Sequence, residues 1–365
     1  MALRSRIVIG LAIVGLAAAS ILSAGEALAQ SAAEKLYAEL AKLPAAERSA
    51  RILEGARKEG QFKYIQTITG RDGKAHGDIF AKKYPFLKIE QSQMDSQDGS
   101  ERIVVEESAG RHLTDLVSNA VPDLGQMIKM NLAAIYKTPM TDRVLPQYKS
   151  LLDAEGRFTP WYWSEHGLVY NSALLKGDQI PKSYMDLCKP HLKGKVSYDS
   201  AETRFMVGLW TIFDKDDKKL EEWMKCMGAN QPVIQNGHTA RMTLMLAGDH
   251  AASGDQYLYF GESQRRKAPD KNPFAIAFEA PIMAYAAGVA INKNAPNPYS
   301  AALFTDWTLD TDSQEYMAGL LRGPLSIPHP FIPPTADLVT FSFIDPAVSD
   351  RFHEMWIKYV GKGTK

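Results

Sequence analysis

The chain is poor in cysteine and has no excess of charge of either sign. Its 365 residues include two cysteines, and 42 lysines and arginines balance 42 aspartates and glutamates, which gives a formal net charge of zero. Proteins that bind nucleic acids or anionic membrane surfaces select basic patches, so this balance argues against both classes of partner. The sequence also lacks HExxH, GxSxG, GxGxxG and Walker-type GK[ST] motifs. These absences argue against the enzyme classes that carry such motifs.

Long apolar runs are absent after the first thirty residues. At the start, Arg4 and Arg6 precede an apolar run from Ile7 to Ala24, and the small residues of Ala27-Leu28-Ala29 follow it. A basic start, an apolar core and an A-x-A ending are typical of a secretory signal peptide, so we expect cleavage after Ala29 and export. The alternative is a membrane anchor, since the run is nearly long enough to span a bilayer, but small residues interrupt it. The chain that remains exceeds the usual size of one hydrophobic core, which predicts two domains.

The two cysteines, Cys188 and Cys226, have two interpretations. In an oxidising compartment, an isolated pair in a large protein suggests one disulfide. Two buried thiols, or one reactive thiol, are the alternatives. The sequence leaves the choice open because it does not give the distance between the two residues.

Strand and helix patterns alternate along the chain. Residues 44–59 predict a helix that ends at Gly60. Alternating or buried apolar segments predict strands at 61–67, 87–91, 114–117 and 168–171, and a helix is predicted over 101–110, between the second and third of these strands. Residues 281–291, rich in small apolar side chains, predict a further buried strand. This alternation indicates an α/β fold with a largely parallel sheet.

Several blocks of sequence resemble one known family, the extracellular solute-binding proteins of family 1, an AfuA/FbpA-like group that includes ferric-iron binders. The blocks occur in the family's order and cover most of residues 50–325. They are EGARKEG (54–60), FAKKYPFLKIE (80–90), ERIVVEESAGRHLTDLV (101–117), YNSALL (170–175), IPKSYMDLCKPHLKGKVSYD (180–199), NGHTARMTLMLAGDH (236–250) and INKNAPNPYSAALFTDWTLDTDSQEYMA (291–318).

The resemblance implies a type II periplasmic-binding-protein fold, in which two α/β lobes are joined by two crossings and enclose a ligand cleft. By this analogy the chain divides into a signal peptide (1–29), an N-terminal helical segment (30–59), lobe one (60–160 with 280–325) and lobe two (161–279 with 326–365).

The function implied by the resemblance is that of a periplasmic, monomeric substrate-binding protein of an ABC importer. It would hold no cofactor, capture a small polar or anionic organic solute by lobe closure, and deliver it to a permease in the inner membrane. Two alternatives remain open. One is an Fe(III)-binding transport protein of the same family, and the other is a cysteine-dependent enzyme on the same fold.

Candidate ligand-binding residues follow the predicted strands or begin helices. Thr67 and Thr69 follow the first strand, and Ser96 and Ser100 precede the helix predicted to begin at Glu101. Strand ends and helix N-termini supply the free N–H groups that bind anions in α/β clefts. The alternative role of these hydroxyls is to cap helices or form turns.

Further candidates lie near the two predicted crossings. Tyr162, in the aromatic triplet 161–163, either stacks on an organic ligand or packs between the lobes. Arg204 is suited to hold a carboxylate or phosphate in bidentate fashion, although a surface arginine is the commoner case. Glu279 precedes the second crossing. His238 and Thr239 open a predicted helix, where the histidine faces the cleft or is structural and the threonine serves as a cap.

Tyr257 and Tyr259 carry the iron alternative. The resemblance implies that adjacent tyrosines in this region supply phenolate ligands, and anionic oxygen donors suit the hard Fe(III) ion. The two side chains share one face if they lie on a strand and diverge if they lie on a helix. The histidine or tyrosine that the iron binders carry after the first strand is absent, because Gln66-Thr67-Ile68-Thr69 stands there. An anionic or polar organic solute is therefore favoured over Fe(III) as the ligand.

Overall fold

The computed structural model describes residues 30–68, 70–199, 203–341 and 345–361. The predicted signal peptide and Thr69 lie outside these ranges, so cleavage after Ala29 stays a prediction. Over the described residues, none of the helices combines the length and apolar character needed to span a bilayer.

Two helices open the described chain, α1 (Ala32–Leu40) and α2 (Ala45–Glu59). Ser31 starts α1 through a capping box with Glu34, in which each side chain accepts the other residue's backbone N–H. Gly60 ends α2 in the left-handed conformation, with φ of 64°, that glycine adopts without strain. The apolar sides of both helices are buried in the first of two hydrophobic cores.

Three parallel strands follow, β1 (Gln61–Gln66), β2 (Lys88–Gln93) and β3 (Leu116–Ala120). The strand β1 lies between the other two, and the crossovers are α3 (Gly70–Lys83) and α4 (Ser96–Ser108). This strand and helix order agrees with the pattern predicted from sequence.

The helix predicted to begin at Glu101 begins five residues earlier. The Asp95 carboxylate accepts the backbone N–H of Asp98 at 3.0 Å and caps α4 at Ser96. Ser100 therefore lies inside the helix, where its hydroxyl accepts a hydrogen bond from the Asn119 amide at 2.7 Å. A short helix, α5 (Gly125–Lys129), follows β3.

The centre of the molecule begins with β4 (Thr159–Asn171). The sequence pattern predicted only its last four residues, 168–171, as a strand. The remainder was missed because the strand is buried along almost its whole length, so no alternation of polar and apolar residues marks it.

The next part of the chain builds the second hydrophobic core, which includes Tyr198, Phe205, Trp223 and Trp356. Its elements are β5 (Val196–Tyr198), α6 (Thr203–Ile212), α7 (Asp217–Ala229), β6 (Val233–Ile234), α8 (His238–Ala247), β7 (Ala252–Tyr257), α9 (Leu258–Lys267) and β8 (Phe274–Ile276).

The chain then returns along β9 (Ile282–Ile291), which pairs antiparallel with β4. Both long strands contribute residues to the first and the second core, as Met283 and Ile291 do for β9. The main sheet order is β2-β1-β3-β9-β4-β7-β5-β6. The sheet is thus parallel within each half and antiparallel at its centre, which corrects the expectation of a largely parallel sheet.

Five elements complete the fold. They are α10 (Pro298–Thr308), α11 (Thr311–Gly319), β10 (Gly323–Pro324), β11 (Leu338–Phe341) and α12 (Pro346–Tyr359). Here β10 pairs with β4, and β11 pairs with β9. The proline-rich segment 325–337, which we call the strap, carries the chain from the first core towards the second a third time. The resemblance had implied two crossings.

The two cysteines form a disulfide in this structure. Cys188 ends a 3₁₀ helix (Tyr184–Cys188), and Cys226 lies in α7, with 5.9 Å between their Cα atoms. The bridge ties the connection that follows β4 to a helix of the second core. The remaining 3₁₀ helices lie at 121–124, 139–143, 146–151, 177–179 and 190–192.

Candidate functional site

A cavity of about 200 Å³ lies where the two halves of the sheet meet. Several of its residues end strands or directly follow them, as Thr67 does for β1, Ala120 for β3 and Tyr257 for β7. This is the edge at which open α/β sheets bind ligands. The cavity is lined by Thr67, Ile68, Asp72, Ser96, Ala120, Tyr162, Ser164, Arg204, Tyr257, Tyr259, Tyr285, Ala287 and Arg322.

Larger hollows on the molecule have a different character. One lies along the outer side of α2 and Tyr299, and another lies beside α3 and β2. Both are open surface grooves whose walls carry charged side chains of each sign. The smaller cavity is the better candidate site because ligands bind in concave sites where a few polar groups converge.

Four helices begin at this cavity. Asp72 lies in the first turn of α3, Ser96 is the first residue of α4, Arg204 is the second of α6, and Tyr259 is the second of α9. The N-terminus of a helix carries a partial positive charge, which favours an anion, although the Asp95 carboxylate already accepts one N–H of α4 and the Gln93 side chain accepts one of α3. The arrangement therefore concentrates positive potential in a small volume.

Two arginines strengthen that potential. The Arg204 guanidinium lies 3.5 Å from the nearer carboxylate oxygen of Asp123 and over the Tyr285 ring at 5.4 Å. The Arg322 guanidinium lies over the Tyr259 ring at 4.5 Å and over the Tyr162 ring at 5.5 Å. Against these two cations, the described residues of the lining include one carboxylate, that of Asp72.

Arg322 stays charged although it is partly enclosed. Burial acts to lower its pKa, but Tyr259, Tyr162 and Glu165 raise it above the ordinary value. Its Nη2 also reaches the Tyr259 hydroxyl at 3.5 Å, a long contact. Arg322 therefore presents a fixed positive charge and spare N–H donors to the cavity.

Tyrosine side chains form much of the wall. The hydroxyls of Tyr257 and Tyr285 are hydrogen-bonded at 2.7 Å, and the rings of Tyr257 and Tyr259 lie 5.4 Å apart. Tyr257 is the last residue of β7, and Tyr259 lies in the first turn of α9. The pair therefore lies neither on one strand nor on one helix, and both side chains reach the cavity. Burial raises the pKa of the Tyr162 hydroxyl, which favours its neutral form.

A second layer supports Tyr257 from behind. The rings of His166 and His238 pack on it with centroids 4.1 and 4.3 Å away. The fully buried Arg241 donates from Nη2 to Nδ1 of His238 at 2.9 Å and is paired with the buried Asp255 carboxylate. His238 thus acts on the cavity through Tyr257, since it is not itself part of the wall.

The structure brings most of the predicted residues together. Six of them line the cavity, and His238 lies behind it. Thr239 and Glu279 are exposed and do not line it, and Thr69 lies outside the described residues. The six that line the cavity are Thr67, Ser96, Tyr162, Arg204, Tyr257 and Tyr259.

The neighbours of Tyr162 do not join it. Trp161 and Trp163 are fully buried on the other face of β4, where Trp161 packs on His76 with ring centroids 4.4 Å apart. Alternation along a strand explains the separation. The triplet thus gives the cavity a single aromatic ring.

Arg322 is the chief residue that the sequence analysis missed. It follows α11 and directly precedes β10, and the pairing of β10 with β4 brings it to the cavity. Gly323 permits this approach, because a Cβ atom there would lie 2.3 Å from the Trp163 indole. No local pattern marks Arg322, since its position depends on a contact between residues far apart in the chain. Asp72, Ser164 and Tyr285 were missed as well.

Over the described residues, no group of three or more histidine, cysteine, aspartate or glutamate side chains could hold a metal ion.

Solved structures share this fold. The iron-bound HitA from Pseudomonas aeruginosa has a TM-score of 0.68 and 15% identity, and the match covers 82% of this chain and 99% of that one. AfuA from Actinobacillus pleuropneumoniae, with fructose-6-phosphate bound, has a TM-score of 0.61 and 18% identity over 82% and 98% of the two chains. These likenesses confirm the type II periplasmic-binding-protein fold.

Sequence comparison gives the family. A curated Fe(3+)-binding periplasmic protein of Serratia marcescens is 30% identical over 119 residues, which span 32% of this chain and 34% of that protein. The model of the bacterial extracellular solute-binding proteins matches residues 75–330, well over half of the chain. The resemblance inferred from the sequence blocks is thereby confirmed, and this chain belongs to the bacterial extracellular solute-binding protein family.

Proposed function

We propose that this protein is the periplasmic substrate-binding component of an ABC importer, and that its solute is a small organic molecule with a carboxylate, phosphate or similar anionic group. The observation that carries the proposal is the convergence of Arg204, Arg322 and four helix N-termini on one cavity, whose described lining residues include a single carboxylate. Such a site matches a negatively charged group in both charge and hydrogen bonding.

The two arginines adjoin different hydrophobic cores. Arg204 precedes Phe205 and Met206 of the second core, whereas Arg322 lies between Leu321 and Leu325, the latter in the first core. An anion held by both guanidinium groups would link the two halves of the protein. Binding would then favour the closed arrangement, because the ligand contacts both sides only when they are close.

The tyrosines would contact the organic part of the solute. Tyr162, Tyr257, Tyr259 and Tyr285 offer ring faces and hydroxyl groups, which suit a polar body with some apolar surface. Thr67, Ser96 and Ser164 add hydroxyl groups around the same space. These side chains would set the choice among anionic solutes, while the arginines supply most of the attraction.

Transport of Fe(III) is the second candidate. The names of the Serratia and Pseudomonas proteins, and the closeness of Tyr257 to Tyr259, favour it. Two facts weigh against a bare ferric ion: the arginines repel a cation, and the Tyr257 hydroxyl is already bonded to that of Tyr285. Phenolate ligands would require both tyrosines to lose their protons in this setting.

A cysteine-dependent enzyme is disfavoured. Cys188 and Cys226 are joined to each other, so neither supplies the thiolate that a cysteine nucleophile requires. The proposed function involves no chemical step.

Native mass spectrometry of the protein purified gently from its own periplasm tests the proposal. We expect a retained organic anion, and isothermal titration calorimetry should then show that the same compound binds the ligand-free protein. A retained mass matching iron, with a visible tyrosinate absorption band, would overturn the organic assignment in favour of Fe(III). Substitution Tyr257→Phe separates the two further, since it removes one of the two candidate phenolate ligands and should weaken that band.

A further inference from the structure

Glu165 is a buried acid directly behind the cavity. It lies on β4 between Ser164, which lines the cavity, and His166, which packs on Tyr257. Its side chain is completely buried, and neither carboxylate oxygen has a hydrogen-bond partner among the described residues. A buried carboxyl group without hydrogen bonds is expensive to keep ionised, and such groups are rare in folded proteins.

The strap supplies the neighbour of this carboxyl group. The His329 Nε2 atom lies 3.8 Å from Oε1 of Glu165, beyond hydrogen-bonding distance, and the ring is almost completely buried. Nδ1 of His329 accepts the backbone N–H groups of Phe331 and Ile332 at 3.3 and 3.0 Å. Because Nδ1 accepts these two bonds, the ring N–H lies on Nε2, which faces Glu165.

Three other groups interact electrostatically with Glu165. Arg322 directly precedes β10, Tyr148 lies in the 3₁₀ helix 146–151, and Tyr162 lies on β4 itself. Burial raises the pKa of Glu165, whereas His329 and Arg322 lower it. Arg322 is thus the one permanent cation among these groups, and it is shared between Glu165 and the cavity.

An anion in the cavity would change this balance. It would neutralise Arg322 and place a negative charge across a single strand from the carboxyl group. Both effects disfavour the ionised form of Glu165. The position of the acid behind the site, and not within it, means that the acid responds to the charge of the ligand without blocking the ligand.

We infer that Glu165 is a positioning residue of the binding site and that it takes up a proton from solvent when an anion occupies the cavity; this inference rests on the proposed function. The sign follows from linkage: a group that is more readily protonated in the complex makes binding tighter as the pH falls. Glu165 would thereby adjust the net charge of the site to that of the ligand.

Calorimetry with inorganic sulfate tests the inference, because sulfate does not titrate between about pH 5 and pH 8. Titration of the full protein in pairs of buffers with different ionisation enthalpies gives the number of protons taken up. We expect proton uptake at some pH in this range, and an affinity that rises by up to about tenfold for each unit by which the pH falls there. Glu165→Gln should remove the uptake and flatten the pH profile.

Glu59→Gln is the matched control. Burial also raises the pKa of the Glu59 carboxyl group, but this group accepts hydrogen bonds at the start of α10 and does not line the cavity. Its substitution should leave proton uptake unchanged.

Each result has a distinct meaning. Sulfate binding without proton uptake by the unmodified protein, or uptake that persists in Glu165→Gln, overturns the inference and leaves the proposed function intact. If sulfate does not bind, the same titrations with the compound retained from the periplasm decide the matter: binding without proton uptake overturns the inference alone, and no binding of either anion overturns both. The measurement on the unmodified protein is decisive even if a variant does not fold.

Discussion

Replacing Arg322 by glutamine should weaken anion binding strongly while leaving the fold intact. Glutamine keeps a polar side chain of similar reach but removes the positive charge and the forked donor geometry. The guanidinium lies over two tyrosine rings inside the cavity, where screening by water is reduced.

The size of the effect follows from the kind of bond lost. A hydrogen bond to a charged group contributes about 1.5 to 3 kcal/mol, and about 1.4 kcal/mol corresponds to a factor of ten in affinity. We therefore expect Arg322→Gln to raise the Kd for an anionic solute by about ten- to one-hundredfold. Arg204→Gln should act in the same direction, but less strongly, because Arg204 already lies beside Asp123.

Isothermal titration calorimetry measures both variants and their combination. If the two arginines hold one anion, the double variant should lose less than the sum of the single losses, since either loss alone disturbs the shared contact. Arg265→Gln is a suitable control, because this half-exposed arginine pairs with Glu262 and does not line the cavity. Unchanged affinity in Arg322→Gln, with the melting temperature preserved, would refute the assignment of this residue to the ligand.

Three further predictions concern stability. Gly323→Ala should destabilise the protein by about 1 to 3 kcal/mol and weaken anion binding, because its Cβ atom would meet the buried Trp163 indole. Thermal melting and calorimetry measure the two effects, and Gly319→Ala, which has open space around it, is the control for both. Reduction of the disulfide at Cys226 should lower the free energy of unfolding by about 2 to 4 kcal/mol in urea titrations, and equal stability of the reduced protein would contradict this. Burial lowers the pKa of His76 from 6.5 to about 3. Between these two pH values the unfolded chain binds a proton at His76 that the folded chain does not, so the free energy of unfolding should fall as the pH drops. The slope should be up to about 1.4 kcal/mol per pH unit. Urea titrations at several pH values should show a smaller slope for His76→Gln, and an unchanged slope would exclude this histidine as the cause.

Much of the fold could be predicted from local patterns in the sequence. The end of α2 at Gly60 and the strand segments of β1 and β9 were predicted nearly as they occur, because caps and runs of buried residues are local signals. The start of β4 could not be predicted, since burial on both sides erases alternation. The strands that pair with β4, such as β7 and β9, come from distant parts of the chain, so no local pattern predicts the pairing.

The candidate site also contains some residues that could be predicted from local sequence patterns and others that could not. Thr67 and Ser96 were predicted because residues at strand ends and helix starts gather at one edge of the sheet, whereas Tyr257 was predicted from the family resemblance. Arg322 and Glu165 escaped prediction for different physical reasons. The first reaches the cavity through the long-range pairing of β10 with β4, and the second lies on a strand whose inner and outer faces are both buried.

The charges of the site also explain how binding could drive closure. Arg204 adjoins residues of the second core and Arg322 adjoins residues of the first, so bringing the two cores together without a ligand would place two like charges in a confined space of low dielectric constant. An anion reverses the sign of that interaction, and it does so only in the closed arrangement, where both guanidinium groups reach it. A neutral analogue of equal shape would lack this differential effect and should bind without closing the protein. Small-angle scattering with a charged ligand and its uncharged analogue distinguishes the cases: compaction by the charged ligand alone supports electrostatic closure, whereas equal compaction by both would assign closure to the tyrosine wall instead.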